Sequence, residues 1–317
     1  MTRKAESKLC FFYCPFPCRD VPWNVSTIRK KSLACFRKLS IFADYIVIMK
    51  NLLKTSLLLL FCVACSIVVA QNHELVILHT NDTHSQIEPY TYKADTNVGG
   101  ILRREAFVNE VRRTHSQVLL LDAGDFSQGT PYFNFFKGYV EITLMNQLGY
   151  DAATLGNHEF DNGSEELAKR VRKAKFPVLC CNCQFHNKAL RRAMKEYTII
   201  QKDGLKIGIF GLCVNLQGLV SPETANEVTY LDPIPEARRV VAKLQLKGCN
   251  MIICLSHLGL IEGQVSDKDV AQAVPEIDVI IGGHSHTELA EPIVVGKTRI
   301  CQMTNRGKCV GELTVKY

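Results

Sequence analysis

From about residue 71 the chain alternates short apolar runs with amphipathic stretches, and this alternation limits its fold more than any other feature. The apolar runs are typical of buried β-strands and read LVILHT, VLLLDAG, AATLG, PVLCCN, KIGIFGL, MIICLSH and VIIGGH. Helical periodicity is found between them, over Ile101–Arg113, Val140–Leu148, Glu165–Lys173 and Pro235–Leu246. This order predicts one α/β domain over residues 71–317, with mixed sheets inside and helices outside.

Two further segments have recognisable local structure. In QKDGLKIGIF, an Asp-Gly pair separates two apolar segments and predicts a β-hairpin. The segment Ile293–Tyr317 is expected to form short antiparallel strands, because its apolar stretches are brief and separated by turn residues.

The segment Met49–Ala70 has the layout of a bacterial-type secretory signal, with two lysines, an apolar run and small residues at its end. We expect export and a periplasmic mature chain that starts at Gln71. The alternative is a lipid attached to Cys65, which would make the protein an outer-membrane lipoprotein. A membrane-spanning anchor is disfavoured, because the apolar run Leu57–Ala70 has fourteen residues and a span needs about 20.

The net charge of +7 comes from the N-terminal region and not from the predicted domain. Eleven of the 38 Lys/Arg and three of the 31 Asp/Glu lie in residues 1–70, so this region carries +8 and the remainder −1. A near-neutral domain has no basic stripe for tracking phosphates, so nucleic acid is not an expected partner. Residues 1–48 fit no structural element and are interpreted as an over-extended start, with Met49 the true first residue.

Five of the apolar runs end in residues that can bind a metal. The residues are Asp82 and His84; Asp125; Asn157, His158, Glu159 and Asp161; His257; and His284 and His286. The carboxyl ends of strands in an open α/β sheet gather at one crevice, where ligands bind. The pairs in D-T-H and H-S-H converge on one small site only if the backbone turns there. Glycines before Asp125, Asn157 and His284 permit such turning.

This mixture of imidazole, carboxylate and amide groups suits zinc, manganese, iron or cobalt better than calcium. Seven protein ligands are too many for one tetrahedral ion and about right for two ions that share a carboxylate. Four other residues are given no role in the site. His79 is expected to be a core histidine, His115 and His186 surface residues, and Glu159 a supporting or surface carboxylate.

The motifs NDTH, GD, GNHE, SH and GHSH resemble those of the calcineurin-like metallophosphoesterase superfamily. The longer strings ILHTNDTHS, DAGDFSQGTPYFNFFKG, LGNHEFDNG and IIGGHSHT resemble the catalytic domain of bacterial secreted 5′-nucleotidases and UDP-sugar hydrolases. The similarity covers residues 74–317. It implies the metallo-dependent phosphatase fold, a four-layer α/β/β/α sandwich of two mixed sheets flanked by helices.

The resemblance also implies a role for each matching residue. Asp82, His84, Asp125 and His286 would hold one divalent ion, and Asp125, Asn157, His257 and His284 the other. His158 and Asp161 match the catalytic His–Asp pair of the superfamily, and Asn157 and His158 would contact the substrate. Ser85 stands where many relatives have glycine, which affects the shape of the loop and no ligand.

The function implied is hydrolysis of nucleotide phosphomonoesters, in which a hydroxide held between the two ions attacks phosphorus. Nucleotidases of this family have a C-terminal nucleoside-recognition domain, which we expect to be missing from residues 71–317. Two alternatives therefore stay open: a catalytic subunit with a separately encoded recognition partner, and cleavage of cyclic nucleotides or UDP-sugar diphosphates. A secreted metal-binding module without activity is a third alternative, disfavoured because metal binding alone does not need His158 and Asp161. Contact with a membrane is expected only if the chain is lipid-anchored.

Overall fold

The computed structural model describes residues 45–57 and 74–317. Residues 45–57 are helical (α1) and exposed to solvent. Residues Asn72–Tyr317 form one compact unit. Among the described residues, no helix combines the length and the apolar character needed to cross a membrane. Residues 1–44 and 58–70 of the predicted over-extended start and signal segment lie outside the described residues, and α1 includes the predicted first residue, Met49.

The described part of the compact unit contains fifteen strands, eight helices and a 3-10 turn at His158–Phe160. The strands are β1 Glu74–Thr80, β2 Tyr90–Tyr92, β3 Asp95–Val98, β4 Val118–Asp122, β5 Ala152–Thr154, β6 Val178–Leu179, β7 Cys183–Phe185, β8 Tyr197–Lys202, β9 Leu205–Leu212, β10 Val228–Tyr230, β11 Met251–Ser256, β12 Val279–Ile281, β13 Ile293–Val295, β14 Thr298–Cys301 and β15 Gly311–Lys316. The helices are α2 Ile101–Thr114, α3 Pro131–Phe136, α4 Tyr139–Leu148, α5 Gly163–Val171, α6 Lys188–Ala193, α7 Pro222–Ala225, α8 Pro233–Leu246 and α9 Asp267–Ala273.

Two mixed sheets form the centre of the unit. The first has the strand order β15-β1-β4-β5-β6, in which only β15 is antiparallel to its neighbour. The second has the order β13-β14-β12-β11-β9-β8, with four parallel central strands and an antiparallel strand at each edge. The parallel strands of each sheet end at the same edge, so residues that follow them are brought together.

Three apolar clusters fill the spaces between the layers. Alternate residues of β1 point to opposite faces, so Leu75 and Ile77 lie in the cluster between the two sheets while Val76 and Leu78 contact the helices outside. The first sheet packs against α2, α4 and α5, and the second against α8 and α9. Burial on both faces explains why these strands read as continuous apolar runs. The predicted four-layer α/β/β/α fold is confirmed.

Most predicted elements agree with the structure within two residues. The predicted helices correspond to α2, α4, α5 and α8, and the Asp-Gly pair forms the turn between β8 and β9. The prediction of short antiparallel strands over Ile293–Tyr317 is confirmed for β13 with β14 and for β15, which pairs with β1 of the first sheet. It is wrong for the other edge of β14, which pairs in parallel with β12.

Candidate metal centre

The polar residues that follow β1, β4, β5, β11 and β12 lie together at one edge of the sheets. Within the described part of the chain, three groups of side chains each have ligand atoms within 4.8 Å of one another. These groups are Asp82, His84 and His286; His84, Asp125 and His158; and Asp125, His257 and His284. The groups share His84 and Asp125, so they form one continuous cluster.

In the first group, the Nε2 atoms of His84 and His286 are 3.0 Å apart, and the two imidazole rings are nearly perpendicular. The Oδ1 atom of Asp82 is 3.4 Å from Nε2 of His286 and 4.0 Å from Nε2 of His84. Asp82 is fully buried. Three ligand atoms that converge on one point without filling it are the arrangement expected around a cation.

The group of Asp125, His257 and His284 is joined to the first through His257. Its Nε2 atom is 3.0 Å from Oδ2 of Asp125 and 3.8 Å from Oδ1 of Asp82. The Nδ1 atom of the same ring donates to the carbonyl of Ala123 at 2.6 Å, which fixes the ring and directs Nε2 into the cluster. Burial lowers the pKa of His284 to about 4, which keeps its imidazole neutral and able to ligate.

Three buried polar atoms of the cluster residues lack hydrogen-bond partners, and one of them is Nδ1 of His84. The other two are Oδ1 of Asn157 and Nε2 of His257, which lies 3.0 Å from Oδ2 of Asp125. A buried polar atom without a partner costs about 1–3 kcal/mol, so such atoms are rare unless a ligand satisfies them. Oδ1 of Asn157 and Nε2 of His257 are good ligands for divalent transition metals. The residues present therefore fit a metal centre.

The backbone around the cluster is unusual. Asp82, His84, Asp125, His284 and His286 all have φ between 45° and 67°. This left-handed conformation is rare for residues other than glycine and costs about 1–3 kcal/mol where it is strained. Sequence analysis assigned the turning to the neighbouring glycines, but the ligand residues themselves adopt the turned conformation. Gly156 has a different role, because a Cβ atom there would collide with Oδ1 of Asp125.

His158 and Asp161 form a hydrogen-bonded pair beside the cluster. Nδ1 of His158 lies 2.8 Å from Oδ2 of Asp161, and the backbone N–H of His158 donates to Oδ1 of Asp125 at 2.9 Å. Partial burial lowers the pKa of His158, but the hydrogen bond to Asp161 and the charge of Asp125 outweigh it and raise the pKa overall. The His158 side chain is 28% exposed and that of His286 40%, so the cluster opens to solvent on this side.

Glu159 has a role that sequence analysis did not find. Its side chain is fully buried, and its carboxylate accepts backbone N–H groups from Asp125, Ser127 and Gly156 at 2.7–3.0 Å. Arg170, also buried, donates to the carbonyl of Glu159 and to the hydroxyl of Ser127. Glu159 thus holds two of the metal-centre loops together. The only sequence signal was its position inside GNHEF, which does not distinguish a buried carboxylate from an exposed one.

Replacing Glu159 with glutamine is expected to destabilise the apo protein by about 1–3 kcal/mol, because an amide NH₂ then faces a backbone N–H that has lost its acceptor. Urea unfolding measures the change. The matched control is Glu165→Gln, since the Glu165 side chain is 79% exposed on the next helix. Equal unfolding midpoints for the two variants would contradict the role given to Glu159.

The residues that sequence analysis left out of the site lie away from it, apart from Glu159. His79 is 1% exposed, and burial lowers its pKa to about 4, as expected for a core histidine. His186 is exposed and His115 partly so. The predicted Asp and His ligands of both ions lie in one cluster, and these three histidines are not part of it.

Comparison with known proteins gives consistent matches to one family. The family described as calcineurin-like phosphoesterase matches residues 75–288. A snake venom 5′-nucleotidase from Gloydius brevicauda is 40% identical over 241 residues, which are 72% of this chain and 40% of that protein. The chain thus spans about two fifths of the length of this relative.

Two solved structures show the same architecture. A 5′-nucleotidase precursor from Thermus thermophilus superposes with a TM-score of 0.71 at 35% identity, over 77% of this chain and 52% of that one. The NAD nucleotidase of Haemophilus influenzae gives a TM-score of 0.69 at 31% identity, over 78% of this chain and 54% of that one. Both matches cover about three quarters of this chain.

Proposed function

This chain belongs to the calcineurin-like phosphoesterase family, and we propose that it is a metal-dependent hydrolase that releases phosphate from 5′-nucleotides. The observation that carries the proposal is the single cluster of Asp and His side chains, open to solvent beside a hydrogen-bonded His–Asp pair. The names of the relatives support nucleotides as the substrate class.

Two divalent metal ions are the cofactors of this family. Asp82, His84, Asp125 and His286 would hold one ion, and Asp125, Asn157, His257 and His284 the other, with Asp125 shared. When bound, the ions lower the pKa of water to supply a nucleophile and neutralise charge on the phosphate oxygens. Asp125 suits the shared position because it is buried and lies in ligand groups with both His84 and His257.

His158 is the proposed catalytic residue. Asp161 holds Nδ1 of the ring, so Nε2 is left for the substrate, and Asp125 orients the backbone of the same residue. The raised pKa of His158 favours the protonated imidazole, which stabilises negative charge on the phosphoryl group and gives a proton to the departing alkoxide. Asn157 and His158 together form the proposed contact with the phosphoryl group.

Phosphate release from a panel of substrates tests the proposal. The panel contains AMP, UDP-glucose, NAD, cyclic AMP and a chromogenic phosphate monoester, each with and without manganese or zinc. Metal-dependent release from AMP and the chromogenic ester supports the proposal. Turnover of UDP-glucose, NAD or cyclic AMP alone would assign the alternative diphosphate or cyclic-diester reaction. If the metal-loaded protein turns over none of these substrates, the remaining hypothesis is a metal-binding module without catalytic activity.

Metal removal is expected to abolish activity reversibly. Dialysis against a chelator should remove both ions, and manganese, zinc or cobalt should restore turnover, whereas calcium should restore little because imidazole ligands suit it poorly. Elemental analysis before and after dialysis gives the metal content, and initial rates give the activity. A chelated protein that is metal-free yet fully active would contradict the account.

Selectivity for the nucleoside is proposed to involve residues beyond the matched region, since the venom relative is more than twice as long as its match to this chain. We propose that a separately encoded recognition domain supplies these residues. Adding such a domain to the purified chain should lower KM for AMP while KM for the chromogenic ester stays unchanged. Equal KM values with and without it would reject the partner.

An extracytoplasmic location is proposed from the signal-like segment 49–70 and from the venom origin of the named relative. The finer proposal is a periplasmic protein, with an outer-membrane lipoprotein attached at Cys65 as the alternative. Cell fractionation with a palmitate-labelling arm separates the two. Recovery of the whole pool in the cytoplasm would reject both.

A further inference from the structure

A small basic cavity lies between the start of α2 and the loop that joins β14 to β15. Its volume is about 220 Å³, and its lining includes Gly99, Gly100, Arg103, Arg104, Gly307 and Lys308. None of the proposed metal ligands lines it. The same loop continues to the metal centre, because the side-chain amide of Asn305 lies 2.8 Å from Nδ1 of His286.

Arg104 is the central feature of this cavity. It is only 6% exposed, and its Nε and Nη2 atoms have no hydrogen-bond partner. Among residues 45–57 and 74–317, no carboxylate forms an ion pair with Arg104. A buried cation without a partner is expensive and is normally found with a counter-charge. The Arg104 guanidinium therefore lacks an anion.

The carboxyl group of Asp122 does not supply that anion. Burial raises the pKa of Asp122 to about 7, although hydrogen bonds from Thr80 and Gly124 and the charge of Arg104 oppose the rise. Its Oδ2 accepts from the hydroxyl of Thr80 at 2.6 Å, and its Oδ1 accepts from the N–H of Gly124 at 2.9 Å. Each oxygen accepts one of these hydrogen bonds, and within the described residues no ion pair joins Asp122 to Arg104.

The start of α2 adds a second attraction for an anion. The N-cap is Gly100, no side chain caps the helix, and no acidic residue lies in its first turn. The N–H of Ile101 already donates to the carbonyl of Ile87 at 2.8 Å, so the attraction comes from the helix dipole, which favours negative charge near the helix start. The cavity therefore brings together a helix start that lacks a cap and a guanidinium that lacks a counter-ion.

The surrounding residues are shaped around the guanidinium. A Cβ atom at Gly307 would collide with Nη2 of Arg104, so glycine there lets the guanidinium lie against the loop. Lys308 is a second cation of the lining, 3.5 Å from Glu288. Arg103 is a third, and its guanidinium donates to the carbonyls of Asn97 and Gly99.

We propose that this cavity is an anion site, distinct from the metal centre, that binds a phosphate-sized oxyanion. Arginine binds phosphate oxygens through charge-assisted N–H hydrogen bonds, and Arg104 lies in the lining of this cavity. Three cations and a helix start favour a dianion over a monoanion. The volume of about 220 Å³ is below the roughly 300–1,000 Å³ of sites for larger organic ligands, so the occupant is the phosphate group alone.

Phosphate binding to the metal-loaded protein tests this site. Equilibrium dialysis with radiolabelled inorganic phosphate gives the number of equivalents bound, and an R104M variant is expected to bind one equivalent fewer than the unmodified protein. The control is Arg113→Met, which removes an exposed cation of the same helix and should leave the count unchanged. Because the readout is a difference of one equivalent, it does not depend on phosphate binding at the metal centre or on any activity.

A second variant covers the case in which R104M does not fold. Lys308→Met removes a cation from the lining and should weaken the same binding event about tenfold. Parallel arms with glycerol 2-phosphate and acetate separate free phosphate from a small phosphate ester and test the need for a dianion. Loss of one equivalent in R104M, or the weaker binding in Lys308→Met, supports the site. Equal counts and affinities in the unmodified protein and the tested variant would overturn it.

Discussion

Replacing His158 with alanine is expected to lower kcat for AMP by about 10²–10⁴-fold, the usual contribution of a positioned acid or base. The substitution removes the imidazole that Asp161 orients through a 2.8 Å contact. The loop itself should persist, because the backbone N–H of residue 158 still donates to Asp125 and Glu159 still holds the neighbouring backbone. Both ions should therefore remain bound.

The test combines initial rates with elemental analysis of the purified variant. His158 also lies in a ligand group with His84 and Asp125, so metal content decides between a catalytic residue and a ligand. The related variant Asp161→Asn keeps the imidazole but weakens its orientation and should cost less activity than His158→Ala. Activity equal to that of the unmodified protein, or loss of an ion, would contradict the catalytic role.

Replacing Asp125 with asparagine is expected to remove at least one ion and to lower activity by about 10³-fold or more. The bound ions would supply the activated water and the Lewis acid of the reaction, so the loss of an ion removes both. Asp125 is 2% exposed, lies 3.0 Å from Nε2 of His257 and is grouped with ligands on both sides. Asparagine is almost the same size as aspartate but carries no charge. The site then lacks the negative charge that attracts the divalent ions.

A matched control is Asp278→Asn, because Asp278 also accepts a backbone N–H, from Ile252 at 2.8 Å, but lies away from the cluster. This control should keep both ions and its activity. Elemental analysis and initial rates are measured on both variants under the same metal concentrations. Two bound ions in Asp125→Asn would contradict the shared position given to this residue.

The site could be predicted from sequence because its residues follow apolar runs. Asp82, Asp125 and His257 come shortly after β1, β4 and β11, and parallel strands bring such positions to one edge whatever the details of the loops. The resemblance to a known family then supplied the grouping into two ion sites. The local sequence pattern and the geometry of parallel strands were sufficient to predict that these residues lie together.

Other features depend on contacts that a local pattern does not contain. Asp82 and His284 have a left-handed backbone conformation. This conformation depends on the packing of the loops and cannot be predicted from the residue type alone. Strand β15 pairs with β1, more than 230 positions earlier in the chain, and the sequence pattern does not indicate this partner. The helical pattern around Arg104 does not indicate that its side chain is buried, which depends on distant residues such as Gly307.

Anomalous diffraction from crystals of the metal-loaded protein tests the central claim most directly. Two peaks are expected, both in contact with Asp125, one beside Asp82, His84 and His286 and the other beside Asn157, His257 and His284. A single peak, or peaks elsewhere on the protein with this cluster empty, would contradict it.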